Sequence, residues 1–308
     1  MKALQVGARE RADIDSQVDK ILRGLGNPEP PIELDDVREL LRLDLQYYSS
    51  TDTTVLQEFV SKLKIGAQQI LLRPTLLLDV VRKASLSALW VPDRKRILLD
   101  KELPVIKQRW AQTHEVSHSI TEWHKLYLFG DSSKELSLSC HETLEAEANY
   151  GAGQILFFRN RFADEARDLD MNLAAVKDLS TRYGNTMTST LWRYVEQLGA
   201  TLPMLALVTP HPKRLPDDHD PDAPCKYFIQ SPAFRDRFAA VTERQAFEAL
   251  GYCRNARGGT LGTEEIILED DNGESHVFQF ETFFNRYEAL TLAYHVRKHR
   301  LVVPAVSF

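Results

Sequence analysis

Thr113-His114-Glu115-Val116-Ser117-His118 is the stretch from which the rest of the chain is read. On a helix, residues four apart lie one turn from each other on a common face, so His114 and His118 can present two imidazoles to one metal ion. Glu115 lies beside them, within reach of a metal-bound water, and is the candidate general base. The pattern is HExxH, the signature of zinc metallopeptidases. Chance alone would produce it in a chain of this size with a probability of roughly 2%, so the match favours a metal site but needs a third ligand.

Two residues compete for that position. His124 lies six residues beyond His118, giving HExxHxxTxxH, one residue away from the metzincin pattern HExxHxxGxxH. Thr121 stands where that pattern has Gly, and a β-branched residue is poorly suited to the turn a Gly allows. If the helix continues, His124 lies about 9 Å further along the axis and off the ligand face. The other candidate is Glu145, in Glu142-Thr143-Leu144-Glu145-Ala146-Glu147-Ala148-Asn149, which reads as the start of a second helix running to about Phe158. Glu142 and Glu147 are its neighbours, but only Glu145 has an amide four residues on. Asn149 can hydrogen-bond the back of a ligand imidazole. Glu145 is therefore the expected third ligand.

HExxH followed by an E-x-x-A-N segment and a small, apolar helix resembles the ImmA/IrrE family of metallopeptidases. The resemblance covers about residues 10–165. It implies an α+β, zincin-like domain holding Zn2+ through His114, His118 and Glu145, with Glu115 as catalytic base and Asn149 behind a ligand. It also implies a biology: cleavage of a helix-turn-helix transcriptional repressor, which releases a mobile-element, DNA-damage or anti-phage defence operon. Tyr150-Gly151-Ala152-Gly153 and Phe157-Phe158-Arg159 depart from the family's usual Phe-Ala-Ala and Leu-Met-Pro tail, and the glycines are expected to loosen the second helix. A reading from another class is a regulator whose zinc is structural and which binds without turnover.

Composition fits an ordinary soluble protein: 308 residues, 43% hydrophobic, 27% charged. Neither a signal-peptide core at the N-terminus nor an apolar run long enough for a bilayer is evident, so a cytoplasmic protein with no membrane partner is expected. A net charge of -6 gives no general attraction to nucleic acid. Cys140, Cys225 and Cys253 are scattered, without a CxxC, and indicate neither a disulfide framework nor a zinc ribbon. Cys140, five residues before Glu145, is either a packed thiol or an inhibitory zinc ligand that replaces the catalytic water. His141 carries the same ambiguity.

Before the catalytic helix the pattern predicts a helix over 14–22, a proline turn, a helix over 33–43, a strand at 45–48, a long helical stretch over 52–84, and two strands, 86–91 and 96–99, in a hairpin. The first of the two is the expected edge strand for substrate addition. The catalytic helix should start near 102–104, with Val105, Ile106, Trp110 and Ile120 as its core face. Helices over 172–180 and 187–199 form a helix-turn-helix-like pair within the segment 166–208, with a structural or docking role favoured because Arg182 and Arg193 are the only arginines of 172–199. Residues 209–224, with His211 and His219, read as an acidic linker. Residues 225–308 read as a small α+β sensor domain, similar in placement to the GAF-like domain of some family members, with a helix from about Arg235 to Leu250 and a hairpin at Asn272-Gly273. A basic strip, Arg235, Arg237, Arg244, Arg254 and Arg257, interleaved with Tyr227, Phe234, Phe238 and Tyr252, is a candidate surface for single-stranded DNA or a nucleotide as activator.

Overall fold

A computed structural model describes residues 6–49, 88–91, 95–124, 138–210, 220, 222–250, 259–285 and 288–299, and they form a mixed α+β fold. The chain divides into two compact units, 1–159 and 160–308. None of the described helices is long and apolar enough to cross a membrane.

The first unit opens with α1 (Ala8–Gly24), whose Ile14, Val18, Ile21 and Leu22 recur at helical spacing and are buried. It packs along α4 (Leu138–Leu156), where the Tyr150 hydroxyl donates to Asp15 at 3.0 Å. After α2 (Leu34–Leu41) come β1 (Asp44–Tyr48), β2 (Ala88–Val91) and β3 (Arg96–Asp100). Their sheet order is β1-β3-β2, with β1 parallel and β2 antiparallel to β3. The two expected strands thus pair antiparallel, and among the described residues β2 is an edge strand, beside α3 (Val105–Ile120), the helix that carries HExxH. The long helix read over 52–84 lies outside the described residues.

The expected apolar face of α3 is not its core face. Val105 is 81% and Ile106 54% exposed, and Trp110 and Ile120 are only partly buried. The face that packs inward holds Ala111, Thr113, Val116 and Ser117. Small side chains let α4 approach closely, and Thr113 satisfies its own hydroxyl by donating to the Arg109 carbonyl at 2.8 Å. Gly151 of α4 is part of the same contact, because a Cβ there would lie 2.1 Å from Ser117 Oγ. The glycine that the sequence suggested would loosen α4 instead seats it against α3.

In the second unit, α5 (Asn160–Arg167), α6 (Leu173–Tyr183) and α7 (Met187–Leu198) precede a five-stranded sheet of order β5-β4-β8-β7-β6. Its strands are β4 (Met204–Pro210), β5 (Tyr227–Gln230), β6 (Gly259–Glu269), β7 (Ser275–Phe284) and β8 (Glu288–Lys298). α7 packs on β4 and β5, and α6 on β7. Leu205, Leu207, Phe234, Phe238, Phe278, Phe280 and Ala293 form one core cluster, while Met204, Ala206 and Val208, alternating with them on β4, are buried too.

Three expected boundaries change. β4 pairs with β8 across its whole length, so 204–210 belong to the C-terminal sheet and neither to a helical segment nor to a linker. The helix-turn-helix-like pair packs on that sheet and is part of the same unit, as is α5, within which the expected boundary at 165 falls. The helix expected from Arg235 to Leu250 is two short ones, α8 (Pro232–Arg237) and α9 (Glu243–Glu248). Ser231 caps the first, and a Thr242–Gln245 capping box starts the second. Between them the Ala239 and Ala240 amides donate to the Asp271 carboxylate at 3.1 and 2.8 Å. The Asp271-Asn272-Gly273 turn is as expected, with Gly273 at φ +77°.

Glu165 of α5 accepts from Arg182, Arg161 and Tyr183, which together hold its carboxyl down to about 2. A depressed carboxylate stabilises the fold above its unfolded pKa of about 4.5 and loses that contribution as pH falls toward 2. Acid titration of thermal unfolding is therefore expected to show the second unit losing stability across that window, with a flatter profile in Glu165→Gln. Parallel profiles would remove this account of how α5 is held.

Candidate metal centre

α3 ends at Ile120, and α4 crosses it with Glu145 facing the two imidazoles. His114 Nε2 lies 3.1 Å from His118 Nε2 and 3.2 Å from Glu145 Oε2, and His118 Nε2 lies 3.5 Å from Glu145 Oε1. Tetrahedral zinc with bonds of about 2.0–2.1 Å separates its ligands by about 3.3 Å, and these separations, with each imidazole meeting a different oxygen of the Glu145 carboxylate, suit one ion.

The protons carry the test further. Asn149 Oδ1 lies 3.1 Å from His114 Nδ1, so that nitrogen donates and a neutral His114 keeps a lone pair on Nε2. On the other ring, His118 Nδ1 lies 2.8 Å from His124 Nδ1, and His124 Nε2 lies 2.8 Å from Glu147 Oε2. A carboxylate only accepts, so His124 carries its proton on Nε2 and accepts through Nδ1. Burial and the neighbouring His118 push His124 down to about 3, which keeps it neutral. His118 Nδ1 must then donate, leaving its Nε2 bare as well. Two imidazole lone pairs and a carboxylate converge on one point, an arrangement that a cation satisfies. This donor set can hold zinc or a similar divalent ion.

Electrostatics agree with that reading. Burial opposes ionised Glu145, yet its carboxyl is held well below the usual range when protons sit on the facing imidazole nitrogens, and a cation in that place would supply the same positive charge. Burial also opposes a charged His114, but Glu145 and Glu115 raise it, so proton and metal would compete for the same lone pair. Glu115, outside the donor trio, is buried, and burial lifts its carboxyl above the ordinary value against the pull of both imidazoles and the Trp90 backbone. A carboxylate with a raised pKa is the better proton acceptor. Its contact with Trp90 also sets the edge strand β2 next to the base.

His124 departs from both sequence expectations. The helix does not continue past Thr121, which adopts φ −91° and ψ 103° while its hydroxyl donates to the Ser117 carbonyl at 2.9 Å. Extended geometry suits a β-branched residue, so the chain leaves the helix without the Gly-type turn. His124 swings back into the interior, fully buried, and meets the far side of His118, away from the ligand position. No spacing in the chain marks Glu147 and Trp123 as its partners, yet both join it: Trp123 Nε1 donates to Glu147 Oε2 at 2.6 Å. Glu147 and Trp123 also line a cavity of about 370 Å³ with Arg9, Glu10 and Asp13, and none of the three candidate ligands reaches it.

Cys140 and His141 fall in α4 by backbone, but their side chains lie outside the described residues, as do Arg254, Arg257, His211 and His219. Two aromatics of the basic strip are not at the surface. Phe234 and Phe238 are core residues, stacked on each other at 5.0 Å. Arg244 is paired with Asp222 and Glu248, Arg237 lies against His276 and Asp270, and Arg235 donates to the Gln230 carbonyl. The alternating aromatics were legible, but the pattern could not show that the short helices turn them inward. In the helix-turn-helix-like pair, Arg182 is held by Glu165 and Arg193 is buried.

A second convergence, Asp270, Glu274 and His276, sits at the β6–β7 turn. There Arg237 lies 3.9 Å from Asp270 Oδ2, Lys298 pairs with Glu274, and Asp270 Oδ1 accepts the Asn272 and Glu274 amides. Cationic side chains already serve those carboxylates, and the group locks a hairpin.

No family model and no curated protein matches the chain. Among solved structures, a Mycobacterium tuberculosis transcriptional regulator is similar in fold, with a TM-score of 0.51 and 12% identity over 94% of this chain and 90% of that one.

Proposed function

We propose that the chain is a zinc-dependent endopeptidase of the ImmA/IrrE type that cleaves a helix-turn-helix transcriptional repressor, with its second unit acting as the sensor that licenses cleavage. The observation that carries this reading is the convergence of His114, His118 and Glu145 at the spacing of a tetrahedral ion, with buried Glu115 beside them. Among the described residues three protein donors converge, which leaves a fourth position for water or substrate, as in catalytic rather than structural zinc sites. The helix pair and small sheet of the first unit support a zincin-like reading, and the antiparallel sheet with packed helices of the second supports a GAF-like one.

A bound zinc would supply Lewis acidity to a water and to the scissile carbonyl. Glu115 takes the water's proton and returns it to the leaving amine. The edge of β2, which pairs with no further strand among the described residues and lies next to Glu115, is suited to hold an extended substrate by strand addition.

A second reading, a regulator that binds without turnover, draws on the likeness in fold to a transcriptional regulator. Incubation of the zinc-loaded chain with candidate helix-turn-helix repressors from the same genome, with and without single-stranded DNA and with a chelator control, separates the two. Zinc-dependent cleavage of the repressor is the expected result. Complex formation with an intact repressor under every condition would favour the binder.

A further inference from the structure

We infer that His124 and Glu147 are positioning residues of the metal centre, a buried hydrogen-bonded chain that holds the ring and tautomer of His118 from behind while Trp123 pins its carboxylate end. The inference rests on the metal-site reading above and adds to it how one ligand is prepared.

The chain has a fixed polarity. Glu147 Oε2 receives both Trp123 Nε1 at 2.6 Å and His124 Nε2 at 2.8 Å, and Glu147 and His124 are shut off from solvent. With Nε2 committed as donor, His124 Nδ1 has only a lone pair to offer, and it is aimed at His118 Nδ1, 2.8 Å away. His118 is thereby set as the tautomer whose Nε2 faces Glu145 and His114. A carboxylate behind a metal-bound histidine is a recurrent device for orienting the ring and raising its basicity. Here an imidazole stands between the two, which extends the same device by one residue. A histidine that merely fills the core needs a partner for each nitrogen, but it does not need its acceptor to meet a ligand's back. The break at Thr121 is what brings it there.

The two ligand histidines are thus held unequally. His114 is backed by Asn149, an exposed amide that can exchange with water, whereas His118 is backed by the buried His124 and Glu147, with half-buried Trp123 on the carboxylate. His124 is accordingly expected to matter more to metal retention than its absence from the ligand set suggests.

The test is metal affinity by chelator competition and the visible absorption of the Co2+-substituted protein, read beside thermal unfolding of the metal-free form. His124→Leu, which can neither accept nor donate, is expected to bind zinc 10–100-fold more weakly, as other outer-shell losses do, and to shift the Co2+ bands. His124→Gln, with one carbonyl to accept and one amide to donate, is expected to recover most of the affinity. If His124→Leu does not fold, Glu147→Gln gives the same comparison, with weaker metal binding in a folded metal-free protein. Affinity equal to wild type in His124→Leu, or a His124→Gln as weak as His124→Leu at equal metal-free stability, would overturn the inference. So would metal loss as complete as in His114→Ala, which would make His124 a ligand. A wild-type chain that binds no metal would instead fail the site reading itself, and the relay with it.

Discussion

Glu115→Gln is expected to keep its metal and lose peptidase activity by about 10²–10⁴-fold, the usual worth of a positioned general base. Gln matches Glu in volume and its carbonyl can still accept from the Trp90 backbone, so neither packing nor the donor trio is disturbed. What disappears is the ability to take a proton from water. The buried setting that raises the Glu115 carboxyl suits proton uptake, and an amide has no equivalent. Repressor cleavage rates at saturating zinc, set beside metal content of the same preparations, check it. An active Glu115→Gln protein would remove the mechanism, and a metal-free one would show that the substitution had damaged the site instead of the chemistry.

The second large effect is expected at a residue that offers the metal no donor. Replacing Gly by Ala inside a helix ordinarily stabilises by up to about 1 kcal/mol. At Gly151 the sign should reverse, because the new Cβ would meet Ser117 Oγ at 2.1 Å, Ser117 Cβ at 3.2 Å and Ile14 Cγ2 at 3.1 Å. Turning the hydroxyl away relieves only the first of these. Overpacking of this kind costs about 1–3 kcal/mol, or roughly 2–4 °C of unfolding temperature per kcal/mol in a unit this size. The strain falls between α3 and α4, the helices that must bring the imidazoles to Glu145, so zinc affinity should fall together with stability. Ser117→Gly in the same chain is expected to restore part of both, since it removes the two nearest Ser117 atoms and the Ser117 hydroxyl has no hydrogen-bond partner among the described residues. A Gly151→Ala protein more stable than wild type, with metal affinity unchanged, would contradict the packing account.

The residues of the candidate trio were legible because their spacing is local: four residues separate His114 from His118, and Asn149 follows Glu145 by one turn. α1 was legible for the same reason, as was the Asp271-Asn272-Gly273 turn. β4 was not, because a central strand buried on both faces shows no alternation and its Met204-Leu205-Ala206-Leu207-Val208 run can be read as part of a helix. Val105 and Ile106 misled because hydrophobicity alone does not say which face meets a neighbour. Close packing here uses Thr113, Ser117 and Gly151, small residues that composition does not mark as core. His124 was weighed only as a ligand. Its position depends on how Thr121 leaves the helix, which HExxHxxTxxH does not specify.

Diffraction data collected at the zinc edge from crystals of the zinc-loaded chain test the central claim most directly. The account predicts a single anomalous peak about 2.0–2.1 Å from His114 Nε2 and His118 Nε2 and about 2.0–2.2 Å from a Glu145 oxygen, with water in the fourth position. Crystals that hold no peak between the two rings, or a peak there with the Glu145 carboxylate turned out of bonding range, would contradict it.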